Sequence, residues 1–142
     1  MVKSRIQNVY ENVREALESV TDDAGFEALE LLGAVCGLTR QDLLMGRDIS
    51  LSETQQKKLD ELVRRRLDHE PLQYLLGEWD FFGRTFSVGE GVLIPRGDTE
   101  PLVEACLELI KRKHAPRILD LCTGSGCIGI TLALERPDAE VW

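Results

Sequence analysis

Residues 118–130 read ILDLCTGSGCIGI. An apolar run enters a glycine-rich loop and leaves it as a second apolar run. This feature limits the fold more than any other. RILDLC, apolar except for its aspartate, predicts a strand buried on both faces of a parallel sheet. The loop predicts a sharp turn into a helix from 126 to about 135, and PDAEVW predicts the start of a second strand. Before the loop, Leu102, Val103, Cys106, Leu109 and Ile110 fall on one predicted helical face. Asp98 or Thr99 is placed to cap that helix, Lys111, Arg112 and Lys113 stand at its end, and Pro116 stops it. Helix, strand, glycine loop, helix, strand is the opening of a doubly wound α/β sheet.

The first seventy residues have a different period. Ile6, Val9, Tyr10, Val13, Leu17 and Val20 repeat at three-and-four spacing, as on one helical face. Thr21, Asp22 and Asp23 can end that helix and cap the next, which is striped by Leu29, Leu32, Val35 and Cys36 and closed by Gly37. A short third piece is expected from Thr39 to Gly46. Ser52 and Gln55 form a capping box for a helix carrying Leu59, Leu62, Val63 and Leu67. Short polar connections between amphipathic helices predict a small bundle. The composition changes at Pro71. Phe81, Phe82, Phe86 and Trp79 crowd around Gly83, with Gly89 and Gly91 behind, which predicts a β-hairpin and a turn joining two domains.

The 142 residues carry a net charge of −8, with 10 basic and 14 acidic side chains through residue 70 and 7 and 11 after it. Neither half offers a basic field, which argues against a nucleic-acid partner. The basic run Arg64-Arg65-Arg66 reads as a solvated helix face offset by Glu61, Asp68 and Glu70. Cys36, Cys106, Cys122 and Cys127 form no CxxC pair, and neither histidine stands at metal-ligand spacing, so reduced thiols in a cytoplasmic protein are expected, without a metal site. The N-terminal residues show no signal-peptide pattern and no stretch reaches membrane-span length, so no membrane partner is expected.

Gly124-Ser125-Gly126-Cys127-Ile128-Gly129 matches G-x-G-x-x-G between a strand and a helix. Glycines admit a ligand close to the backbone, and the helix N-terminus favours an anionic group. Asp120 discriminates among ligands. A buried carboxylate is costly unless it is hydrogen-bonded or meets a cation. S-adenosylmethionine brings an ammonium and a sulfonium, whereas a dinucleotide brings a negative pyrophosphate. Asp120 therefore favours the former over an NAD-dependent oxidoreductase. That Asp120 serves chiefly to tie down loop N–H groups stays open beside this.

GEWDFFG, LIPRGDTEPLVE and RILDLCTGSGCIGI together resemble the peptide chain release factor glutamine methyltransferases, the HemK/PrmC family, and ILDLCTGSG resembles the first motif of class I S-adenosylmethionine-dependent methyltransferases. The resemblance implies a fold with an α-helical substrate-docking bundle at 1–72, a β-hairpin linker at 73–95 and the beginning of a class I, Rossmann-like α/β methyltransferase domain at 96–142, truncated. It implies methylation of the glutamine side-chain amide in the Gly-Gly-Gln motif of release factors, with the helical domain docking that protein partner and the chain a monomer. The cofactor residues it implies are Asp120, Cys122, Thr123, Gly124, Ser125 and Gly126. Arg96 and Thr99, in the interdomain motif with Asp98 and Glu100, are expected near the cofactor entrance.

Two positions depart from the family pattern. Cys122 replaces a common glycine, so its turn is expected to tolerate a Cβ, and Gly97 replaces a common proline. The Asn-Pro-Pro-Tyr motif and the acid that would hold the ribose do not occur in these residues. The chain is therefore expected to be a truncated, catalytically incompetent piece of the enzyme, with residues beyond about 95 partly ordered or in an incomplete α/β unit. Two alternatives stay open: a helical protein-binding module with an inert catalytic stump, and a methyltransferase acting on a ribosomal protein glutamine.

Overall fold

A computed structural model describes residues 6–39, 41–42, 45 and 50–142. The chain divides into two compact units between Leu76 and Gly77. The first is helical: α1 (Ile6–Leu17), α2 (Ala24–Cys36), α3 (Glu53–Leu67) and the short α4 (Leu72–Leu76). Most of the expected third piece, Thr39 to Gly46, lies outside the described residues.

The three-and-four spacing buries Ile6, Val9, Val13 and Leu17 of α1, although Val20 falls in the turn beyond the helix. Ala28, Leu31, Leu32 and Val35 of α2 and Leu59 and Leu62 of α3 are buried as well, and the three helices contact one another. Leu67, expected on the α3 stripe, is exposed. Gly37 ends α2 in the left-handed conformation at φ 66°, its N–H donating to Gly33 O. The Ser52–Gln55 capping box forms in both directions, at 2.9 and 3.2 Å. Asp23 stands at the N-cap of α2 without a side-chain capping bond, because its backbone is not in the extended region that directs an oxygen at the first turn.

The arginine run is only partly a solvated face. Arg64 pairs with Asp68 and Arg65 with Glu70, as charge offset requires. Arg66 turns inward to Glu27 of α2, with Nε–Oε2 at 2.6 Å and Nη2–Oε1 at 3.1 Å. Its side chain is largely buried, and the planar guanidinium takes both carboxylate oxygens. Glu27 is thereby satisfied although buried.

The second unit is a hairpin followed by a mixed α/β segment. Strands β1 (Glu78–Phe81) and β2 (Arg84–Ser87) are antiparallel, with Trp79 opposite Phe86. Both turn residues, Phe82 at φ 51° and Gly83 at φ 68°, are left-handed, the signature of a type I′ turn. A 3₁₀ turn (Gly97–Thr99) leads into α5 (Glu100–Ile110). Strand β3 (Arg117–Ile118), α6 (Cys127–Glu135) and β4 (Glu140–Val141) follow, with β3 and β4 parallel. The core of this unit joins hairpin and helices: Phe81, Phe86, Val103, Cys127 and Leu132. Phe81 and Phe86 meet edge to face, with centroids 6.2 Å apart.

Three expectations are corrected here. Neither Asp98 nor Thr99 caps α5 through its side chain, because Thr99 is itself in the helical region of backbone space and closes the 3₁₀ turn. The buried face of α5 runs through Val103, Cys106 and Leu107, whereas Leu102 and Leu109 face solvent. The core residues that pack with this face come from α6 and the hairpin. The segment RILDLC is not buried on both faces: Leu119 is 66% and Leu121 75% exposed. Among the described residues its ladder pairs with β4 alone, and only Ile118 of β3 meets the core, which leaves the other face uncovered.

The candidate cofactor loop

Asp120 follows β3 and is still held by the parallel ladder. Its N–H donates to Trp142 O at 2.8 Å, and Trp142 N–H donates to Ile118 O at 3.0 Å. The carboxylate, half-buried, turns toward the loop. Oδ2 accepts from Thr123 Oγ1 at 2.8 Å and from Gly129 N–H at 2.9 Å. One oxygen thus ties the loop to the first turn of α6, and one orphan helix donor is satisfied. Oδ1 has no hydrogen bond among the described residues. The loop-tying role left open by the sequence is what the geometry displays, and it leaves one acceptor over.

The loop is closed by Gly126 N–H donating to Thr123 O at 2.9 Å. Cys122, Thr123 and Gly124 are exposed, Ser125 and Gly126 half-buried. Cys122, Gly124 and Gly126 all have positive φ, at 60°, 59° and 80°. For Cys122 this corrects the expectation of a turn that accepts a Cβ: its backbone takes the left-handed conformation that glycine adopts freely and other residues adopt at a cost.

The structure draws Asp120, Thr123 and Gly126 into one bonded unit. Arg96 and Thr99 are not bonded to it. Arg96, exposed, precedes the 3₁₀ turn, and its carbonyl accepts from Thr99 N–H at 3.0 Å. Glu100 has a definite partner, the Phe82 N–H at 2.7 Å.

Gly129 is the residue that sequence reasoning passed over, although it is the last glycine of the G-x-G-x-x-G match. A Cβ there would lie 2.8 Å from Asp120 Oδ2 and 3.3 Å from Asp120 Cβ. The signal lay in the spacing: a carboxylate nine residues before a first-turn glycine needs that glycine in order to reach its N–H. The far end of the segment is fastened separately. Arg136 donates to Ile110 O and Lys113 O at 2.7 and 2.8 Å, and pairs with Asp138. Asp138 also accepts from Ala115 N–H, and with Arg136 beside it its carboxyl is held down at about 2.

Chemically, the loop offers close backbone approach, a helix N-terminus and a carboxylate oxygen, Asp120 Oδ1, that no described residue occupies. Among the described residues, no group of three or more His, Cys, Asp or Glu is placed to hold a metal ion. No helix among them is long and apolar enough to cross a membrane.

Comparison with known proteins bears on the family. Residues 8–77 match the family model described as the PrmC N-terminal domain. Each of three relatives is a release factor glutamine methyltransferase. The one from Bacteroides thetaiotaomicron is 39% identical over 91% of this chain and 46% of its own length. That of Coxiella burnetii is 39% identical over 93% and 48%, and that of Neisseria gonorrhoeae 45% identical over 81% and 41%. The chain spans about half the length of the curated relatives it matches. A family model covering the helical unit and alignments running through the glycine loop lead to one conclusion: this chain belongs to the release factor glutamine methyltransferase (PrmC) family.

Proposed function

We propose that this chain is the docking and cofactor-loop portion of an S-adenosylmethionine-dependent protein-glutamine methyltransferase, whose substrate is the glutamine amide of a release factor's Gly-Gly-Gln motif. The helical unit serves release factor docking, and residues 96–142 open a class I, Rossmann-like domain. The observation that carries the reading is the Asp120 carboxylate, which secures Thr123 and Gly129 with one oxygen and keeps the other free beside the loop. A free carboxylate oxygen suits a cationic ligand and repels a pyrophosphate.

When bound, S-adenosylmethionine supplies a methyl group on a sulfonium that leaves as a neutral thioether. The residues of this chain act in binding. Backbone groups of Cys122, Thr123, Gly124, Ser125 and Gly126 line the ligand, Asp120 fixes their conformation, and Arg96 and Thr99 border the entrance. Activating the glutamine amide requires acceptors that hold a poor nucleophile in line. The Asn-Pro-Pro-Tyr sequence that would provide them in this family does not occur among the 142 residues. Methyl transfer is accordingly not expected of this chain alone, in a cytoplasmic setting or in vitro.

A second reading is favoured by the exposure of Leu119 and Leu121 on either side of Asp120: the helical unit docks a protein partner and the second unit is inert. Calorimetric titration of the 142-residue chain separates the two. Saturable heat with S-adenosylmethionine and none with NAD⁺ is expected. Binding of NAD⁺ instead would overturn both readings, and a folded chain that binds neither but retains a release factor would establish the second.

A further inference from the structure

The hairpin tip is fastened to both helices of the second unit. At the turn, Phe82 holds a left-handed conformation that a β-carbon disfavours. Its N–H donates to Glu100 Oε1, on the first residue of α5, at 2.7 Å. Its carbonyl accepts from Arg84 Nη1 at 3.2 Å, and Arg84 Nη2 reaches Glu135 Oε1, on the last residue of α6, at 2.6 Å. The Phe81 and Phe86 rings pack in one cluster with Cys127, the first residue of α6 and the second after Ser125. Gly129, on the same turn of α6, donates to Asp120. A continuous set of contacts therefore runs from Glu100 through the hairpin to the helix whose N-terminus carries the glycine loop. Leu119 and Leu121, on either side of Asp120, face solvent.

We propose that Glu100 is a positioning residue for the glycine loop: by fixing the Phe82 turn it makes the hairpin the brace that holds α6, and with it the Asp120–Gly129 contact, in place. The role as a brace for a cofactor site rests on the reading above. The bracing itself is a property of the chain without ligand. Only an oxygen acceptor is required at position 100, not a charge, so an amide serves where a methyl does not.

The test is amide hydrogen exchange of the full 142-residue chain, followed residue by residue by NMR without ligand. In Glu100→Ala the Gly129 and Gly126 amides should exchange about tenfold faster than in the unsubstituted chain, while amides of α1–α3 keep their rates. Glu100→Gln should restore Gly129 to within roughly threefold, because its Oε1 still accepts from Phe82 N–H. Should Glu100→Ala unfold the second unit, Arg84→Met cuts the other tie of the same turn and should accelerate Gly129 likewise. Unchanged Gly129 exchange in Glu100→Ala, or in Arg84→Met, would overturn the proposal, as would a Gln variant that behaves like Ala. Because exchange is read without S-adenosylmethionine, a wild-type chain that fails to bind that ligand sinks the cofactor reading and leaves the brace standing.

Discussion

In the helical unit most large aliphatic side chains of the described residues are inside; in the α/β unit several of the same kind stand in solvent. Leu17, Leu31 and Leu32 have no exposed surface, whereas Leu109 and Leu121 are 76% and 75% exposed. Both units carry aliphatic stripes and equal net charge, so neither feature accounts for the difference. Geometry does. Three helices packed around a shared axis cover each other's stripes. A two-residue parallel pair with a helix before and between its strands has two sheet faces and two edges, and its own elements cover only part of them. Beside the small core of Phe81, Phe86, Val103, Cys127 and Leu132, the second unit is held by polar ties: Glu100 to Phe82, Arg84 to Glu135, Asp120 to Thr123 and Gly129, and Arg136 to the end of α5.

The sharpest way to break this comparison is a matched truncation. Leu31→Ala should destabilise the helical unit by about 2–5 kcal/mol, through lost burial and the cavity left behind. Leu121→Ala should change stability by less than about 0.5 kcal/mol, since little area is lost from a side chain already in water. Thermal melts by circular dichroism measure both, and equal effects would end the distinction.

The buried ion pair comes next. Glu27→Ala leaves Arg66 charged and uncompensated at a site where both side chains are largely out of water, and should cost about 3 kcal/mol. Replacing both partners by apolar residues, Glu27→Leu with Arg66→Met, should recover most of that loss in urea titrations. In the second unit, Gly129→Ala forces a Cβ against the Asp120 carboxylate and should cost about 1–3 kcal/mol. Its signature is loss of the Gly129 amide protection together with the Thr123 hydroxyl bond, which a loosely held loop would not show.

Cys122→Gly works in the opposite direction. Removing the Cβ from a left-handed residue should stabilise the second unit by about 1 kcal/mol, less what the freer unfolded chain gains. A melting temperature that falls would show that the Cys122 side chain contributes more than its backbone strain costs. The smallest expected effect is that of pH. Asp138 has a folded pKa depressed from 3.8 to about 2, by Arg136 and the Ala115 N–H. Its contribution is complete above the unfolded value and fades as pH falls through about 2. Glu70, lowered by Arg65, should do the same for the helical unit. Asp138→Asn should flatten the acid limb of the second unit alone, since the two carboxylates belong to different units.

Much of the helical unit was legible in the residues. The Ile6–Val9–Val13–Leu17 stripe, the Ser52–Gln55 box and the closing Gly37 are each local devices, decided within one or two turns of helix. The Glu27–Arg66 pair was not legible, because it joins residues 39 apart on different helices and the nearest acids, Asp68 and Glu70, compete for the same arginine run. For the loop, the G-x-G-x-x-G spacing and Asp120 were readable. The destination of the carboxylate, the left-handed Cys122 and the binding of Glu100 by the hairpin were not, since each depends on where a backbone N–H points after the chain has turned.

By itself, the sequence determined the periods: 3.6 residues in the first seventy positions, an aromatic hairpin around Gly83, and an apolar run ending in a glycine loop. Those follow from side-chain sterics and capping chemistry, which act over a few residues. Only the tertiary structure decided which apolar faces found cover. Burial is a property of the space between elements, and Leu102, Leu109, Leu119 and Leu121 fit their periods without meeting a neighbouring layer. It also decided which carboxylates became structural. Hydrogen bonds of 2.6–2.9 Å to Arg66, Phe82 and Gly129 form only once distant segments have been brought together.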